Sequence, residues 1–148
     1  MPPLRAPVSG YSPLEAMPPA RGFADDRHHA IGLPVVPESS TKARRWVETK
    51  LAKRLSEDRL FDARVVVTEL VNNAVLHARG GILRVEIDEI DDSVEIAVVD
   101  QGARMPELLD PEPTWSTGRG LMIVDQLSED WGADSEPAGK RVWARLSA

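Results

Sequence analysis

Two consecutive segments in which apolar and polar residues alternate constrain the fold of this chain more than any other feature. They cover Ile82–Ile90 and Ser93–Asp100, and a period of two is that of a β-strand with one buried face. Asp91 and Asp92 lie between them and are typical turn residues. The sequence therefore predicts an antiparallel hairpin. Its apolar positions are Leu83, Val85, Ile87, Val94, Ile96 and Val98.

Asp100 ends the second segment with the same parity as its apolar residues. If the strand persists to its end, this carboxylate points to the core side, where an unpaired charge is costly. The sequence offers no obvious cation as its partner. The alternative is that Asp100 lies one residue past the strand as an ordinary turn residue. The pattern alone leaves both interpretations open.

Two amphipathic helices are predicted before the hairpin. The first begins within residues 38–41 and runs to about Leu55, with an apolar residue at every fourth position. The second covers residues 60–78, and at about 100° per residue Glu69 and Asn73 lie about 40° apart. Both fall just beyond the arc that faces the core, so they flank the core contact instead of pointing away to solvent. That arc contains Leu60, Ala63, Val67, Leu70, Val71, Ala74 and Ala78.

The N-terminal region has a different composition. Six of the 12 prolines lie within residues 1–27, which are predicted to be a disordered arm without apolar periodicity. A single domain is predicted at 28–148, beginning with a short extended segment at 30–36.

After the hairpin the regular pattern is lost at residues 101–118, where three prolines favour a lid over a helix or strand. A short helix is predicted to open directly after the turn Gly118-Arg119-Gly120, and strands at 131–136 and 141–146 close the domain. The order of elements predicts an α+β fold, a two-layer sandwich whose mostly antiparallel sheet carries its helices on one face.

Composition excludes several classes of function. Asp and Glu number 24 against 18 Lys and Arg, so a net charge of −6 gives no positive field for nucleic acid or an anionic membrane. The chain has no cysteine, which excludes disulfides and thiolate metal sites, and its three histidines are poorly placed for a metal cluster. No apolar run of membrane-spanning length or signal peptide is visible, so we expect a cytoplasmic protein.

Each polar feature has a plain structural explanation when it is taken alone. Glu69 and Asn73 could be a solvated helix pair, and Gly118 and Gly120 could form only a tight turn. His77, on the same helix, is best explained as a hydrogen-bonded structural residue. The joint order of the features is more specific than any one of them.

In that order, residues 69–74, 100–102 and 118–121 resemble the three nucleotide-binding boxes of the GHKL ATPase superfamily, which includes histidine kinase-like ATPase domains. The spacing from Glu69 through Asn73 to His77 and the closing Trp-Gly and Gly-Lys-Arg-Val-Trp segments are similar to the anti-sigma-factor serine/threonine kinases. The resemblance covers residues 30–147. One departure is that Gly102 is followed by Ala103, where a second glycine is common in the superfamily.

The resemblance implies a Bergerat-type fold that binds ATP and Mg²⁺. It implies that Asn73 ligates Mg²⁺, which prefers oxygen ligands, and that Glu69 acts as the catalytic general base. Asp100 would accept a hydrogen bond from the adenine amine, which gives that carboxylate a partner. The remaining ATP-binding residues implied are Gly102, Gly118, Gly120 and Leu121.

The resemblance further implies a bacterial regulatory kinase that phosphorylates a serine on an antagonist protein, an anti-anti-sigma factor, and thereby controls a sigma factor. It is compatible with a homodimer and requires neither direct nucleic-acid binding nor a membrane. The alternative is a catalytically silent, ATP-dependent protein-binding module of the same fold. Both need Asn73 and Asp100, whereas only the kinase needs Glu69.

Overall fold

The computed structural model describes residues 27–77, 80–100, 115–136 and 139–148. The predicted lid at 101–118 therefore lies outside the described residues as far as 114, and so do Gly102 and all but the last residue of the predicted arm. The elements within the described ranges are β1 (His28–Pro34), α1 (Ser39–Leu51), α2 (Glu57–His77), β2 (Ile82–Ile90), β3 (Ser93–Asp100), α3 (Trp115–Leu127), β4 (Asp130–Glu136) and β5 (Gly139–Ser147).

The strands form one sheet in the order β1-β2-β3-β5-β4, and every neighbouring pair is antiparallel. The predicted hairpin is present as β2 and β3, joined at Asp91 and Asp92. The extended segment predicted at 30–36 is the edge strand β1, which pairs with β2 along its whole length. The prediction of an α+β fold with an antiparallel sheet is confirmed.

The core lies between one face of this sheet and the helices. On α1 the buried residues recur at every fourth position from Ser39 to Leu51, and α2 packs against α1, β3 and β5. The helix α1 ends at Leu51 and not at Leu55, and the guanidinium of Arg54 holds the turn that follows it onto the hairpin. Arg54 Nη2 donates to the carbonyl oxygens of Ile90 and Asp91 at 3.0 and 2.6 Å. Within the described ranges, no helix is long and apolar enough to cross a bilayer.

The opposite face of the sheet differs from the sequence prediction. The alternation in β2 predicts a half-buried strand, yet Arg84 is buried along with the apolar residues. Charges of opposite sign lie on neighbouring positions and pair, with Arg84 Nε 2.7 Å from a carboxylate oxygen of Glu86 and Arg141 Nη2 2.9 Å from that of Glu95. A ladder of mutually paired charges thus replaces the exposed polar face that the alternation of β2 predicts.

The closing tryptophan and glycine residues have a packing role on the same face. Gly132 of β4 is the register partner of Trp143 of β5. A Cβ atom at Gly132 would lie 2.8 Å from Cζ2 of the Trp143 ring, closer than van der Waals contact permits. The glycine therefore leaves room for the indole ring beside β4, and this packing accounts for Gly132 and Trp143 in the motif.

Candidate functional site

The helix α2 presents Glu69 and Asn73 one turn apart, in the stretch that packs between α1, α3 and the sheet. Glu69 is half-buried and Asn73 is only 4% exposed. The prediction that these side chains flank the core contact agrees with their burial. The amide of Asn73 is too deeply buried for bulk water to supply its hydrogen-bond partners.

The side chain of Asn73 has none in the described part of the chain. Its Oδ1 and Nδ2 atoms are both buried and neither has a hydrogen-bond partner there. An unmet buried polar group costs about 1–3 kcal/mol, so such groups in folded proteins commonly mark a ligand site. An amide oxygen is a ligand that Mg²⁺ accepts, and the residue therefore fits the metal role that the resemblance implies.

Glu69 lies against the backbone of α3. A Cβ atom built at Gly120 would be 2.7 Å from Oε1 of Glu69, so only glycine leaves room for the carboxylate in its present position. Burial raises the pKa of Glu69 above its ordinary value, because the charged form loses water. A carboxylate that holds its proton more readily than usual is a suitable general base.

The predicted turn at Gly118-Arg119-Gly120 is wrong in its local structure. The helix α3 begins at Trp115, so Gly118 and Gly120 lie within its first turns and do not precede it. The physical reason at Gly120 is the close approach of Glu69, for which a helix can accept a glycine at a cost of about 1 kcal/mol. An α-helix leaves only the amides of its first turn without an intrahelical acceptor, and Gly120 lies beyond that turn.

Asp100 is the last residue of β3 and is 1% exposed, which confirms that it lies on the core side. The expectation that no cation is available to it is wrong. Lys140, its register partner on β5, is 0% exposed, and its Nζ lies 3.1 Å from each carboxylate oxygen of Asp100. Adenine is therefore not needed to explain the burial of this carboxylate.

Lys140 is the site residue that sequence reasoning missed, although a signal was present. The sequence predicts a strand beginning at residue 141, in which Val142, Ala144 and Leu146 share one buried face. The strand begins two residues earlier, at Gly139, and the same parity places Lys140 on that face. Because a lysine does not fit the apolar alternation, the pattern places the start of the strand after Lys140.

The other predicted residues add less. Leu121 is buried beside Gly120 and anchors α3, and Gly102 lies outside the described residues. No group of three or more histidine or carboxylate side chains within the described ranges could hold a metal ion.

The site thus gathers around α2. This helix carries Glu69 and Asn73 and packs against α3, which carries Gly120, and against β3 and β5, which carry Asp100 and Lys140. A family model described as the histidine kinase-like ATPase domain matches residues 33–146, from the end of β1 to the end of β5. A search of curated proteins finds no match to this chain.

Proposed function

We propose, from the premise that the chain belongs to the family of histidine kinase-like ATPase domains, that it is an ATP-dependent protein serine kinase of the anti-sigma-factor type. It would bind ATP with Mg²⁺ and transfer the γ-phosphoryl group to a serine of a small antagonist protein. Binding of a sigma factor would then depend on the phosphorylation state of that antagonist.

The observation that carries the proposal is the pair on α2. The amide of Asn73 is buried without a partner in the described residues, and one turn away the desolvated carboxylate of Glu69 touches the α3 backbone. Neither the unpartnered amide nor the desolvated carboxylate stabilises the fold if the two residues are only a structural pair. Both are useful in a catalytic site, where the amide would ligate the metal ion bound to the phosphates and the carboxylate would act as the base.

Each of these residues would have a separate role in ATP binding or phosphoryl transfer. Asn73 Oδ1 would be a ligand of Mg²⁺, which neutralises phosphate charge during transfer. Glu69 would accept the proton of the serine hydroxyl while the serine oxygen bonds to the γ-phosphorus. The bond between the γ-phosphorus and the oxygen that bridges it to the β-phosphate breaks in the same step, which leaves ADP and phosphoserine. Asp100 would accept a hydrogen bond from the adenine amine, and the free amides at the start of α3 would face the phosphates.

Two measurements on the wild-type protein test this proposal. ATP with Mg²⁺ is expected to stabilise the fold by about 2.7 kcal/mol at a concentration 100 times the Kd, and a thermal melt checks it. Incubation with γ-labelled ATP and the cognate antagonist is expected to label a serine of that antagonist. A melt that shifts without any transfer would favour the catalytically silent module instead, and no shift at all would contradict both.

Replacing Gly120 with alanine is expected to lower phosphoryl transfer at least tenfold without lowering the melting temperature, because alanine regains about 1 kcal/mol of helix propensity. The new methyl group takes the position 2.7 Å from Glu69 Oε1, and the flexible end of that side chain must swing away. A displacement of about 1 Å can cost about a hundredfold in rate. Gly32→Ala in β1, whose Cβ would meet nothing closer than 3.5 Å, is the matched control and should transfer as the wild type does.

A further inference from the structure

The ammonium of Lys140, buried in its pair with Asp100, has more hydrogen-bonding capacity than it uses among the described residues. Lys140 Nζ donates one hydrogen bond, to Asp100 Oδ1, and an ammonium carries three N–H groups. Asp100 is the one partner of this ammonium among the described residues. A fully buried lysine is rare, and unmet donors there are costly, so its ammonium calls for an acceptor at the same place.

The position of the pair determines what that acceptor can be. Both side chains lie on the sheet face that packs against α2, at the end of β3 and the start of β5. Together they present one acceptor, the carboxylate, and one donor, the ammonium, about 3 Å apart. The adenine amine is a donor flanked by ring-nitrogen acceptors on both sides, so one edge of the ring complements the pair.

We infer that Lys140 is a base-recognition residue, which donates to a ring nitrogen of adenine beside the amine that Asp100 accepts. This inference rests on the proposed binding of ATP and extends it, because the carboxylate of Asp100 alone would recognise only the adenine amine. The pair is also neutral as a unit, so the base meets a matched donor and acceptor and not an isolated charge. Lys140 would thus contribute to both affinity and base specificity.

The test measures Kd by titration calorimetry for ATP, 1-deaza-ATP and 7-deaza-ATP, in which one or the other ring nitrogen is a carbon. Wild type is expected to bind one of the two analogues at least about tenfold more weakly than ATP, the loss of one hydrogen bond to a charged group. In Lys140→Met, the Kd of the analogue that wild type binds weakly and the Kd of ATP should agree within about twofold. Lys50→Met, at an exposed position on α1, is the control and should discriminate as wild type does.

The outcomes separate the two ideas. A wild type that binds no ATP overturns the proposed function, whereas one that binds ATP and both analogues equally overturns only the role of Lys140. Discrimination that persists in Lys140→Met also overturns it. If that variant does not fold, Lys140→Gln serves instead, because its shorter, neutral amide can still pair with Asp100. The same loss of discrimination is expected from it.

Discussion

Replacing Asp100 with alanine is expected to destabilise the protein by about 3–5 kcal/mol, the cost of leaving one member of a buried ion pair without the other. The ammonium of Lys140 is fully buried, and Asp100 is its partner at 3.1 Å. A loss of this size lowers the Tm by about 10 °C or more in a domain of this length. Urea denaturation at neutral pH measures the change directly.

Two controls show whether the loss comes from the unpaired charge. The double variant Asp100→Leu with Lys140→Met removes both charges and should regain most of the stability, since apolar replacement of a buried pair is often neutral or better. Glu48→Ala breaks an exposed pair with Arg64 at 3.7 Å and should cost less than about 1 kcal/mol. If Asp100→Ala cost no more than Glu48→Ala, the pair would not be desolvated as described.

The same variants affect how nucleotide binding should be tested. A melt of Asp100→Ala that shows no shift with ATP cannot by itself assign the adenine contact, because the variant is already destabilised by Lys140. The double variant keeps the fold and removes the carboxylate, so it separates the two effects. It should bind ATP at least tenfold more weakly than wild type, the loss of a charge-assisted hydrogen bond.

The fold could be predicted largely because its periodicities are local. The alternations in residues 82–90 and 93–100 and the four-residue repeat on α1 each lie within a single element, and the two strands and the helix that they predict are present in the structure. The pairing of Asp100 with Lys140 joins residues 40 apart, and it depends on how β3 aligns with β5. No local pattern encodes that register.

The start of α3 was mispredicted for a related reason. Glycine has a low helix propensity, so Gly118 and Gly120 were assigned to a turn. What requires a glycine at this position of the helix is its contact with Glu69, which lies on a different element and approaches only once α2 and α3 have packed. Apolar alternation gave the wrong strand start at Lys140, which lies next to Asp100. Helix propensity gave the wrong helix start at Gly120, which lies next to Glu69. Such conflicts between local pattern and fold are expected where a site is built.

Replacing Glu69 with glutamine is expected to lower phosphoryl transfer to the antagonist by about 10²–10⁴-fold while leaving the Kd for ATP within about twofold. Glutamine keeps the shape of the side chain against Gly120 but cannot accept a proton. Single-turnover transfer with γ-labelled ATP measures the first effect and calorimetry the second. Glu57→Gln, an exposed position at the start of the same helix, should change neither.

The raised pKa of Glu69 adds two pH signatures that a merely structural carboxylate would not combine. Wild-type transfer should fall as the pH drops through that raised pKa, because the base becomes protonated, and the residual activity of Glu69→Gln should lack this limb. Stability should show the opposite dependence. The folded state holds the proton more tightly than the unfolded chain, so the favourable contribution of protonated Glu69 is complete at low pH and is lost as the pH rises. Glu69→Gln should therefore be more stable than wild type at neutral pH, with the difference vanishing in acid. Transfer that survives in Glu69→Gln with an unchanged acid limb would assign the base to another residue.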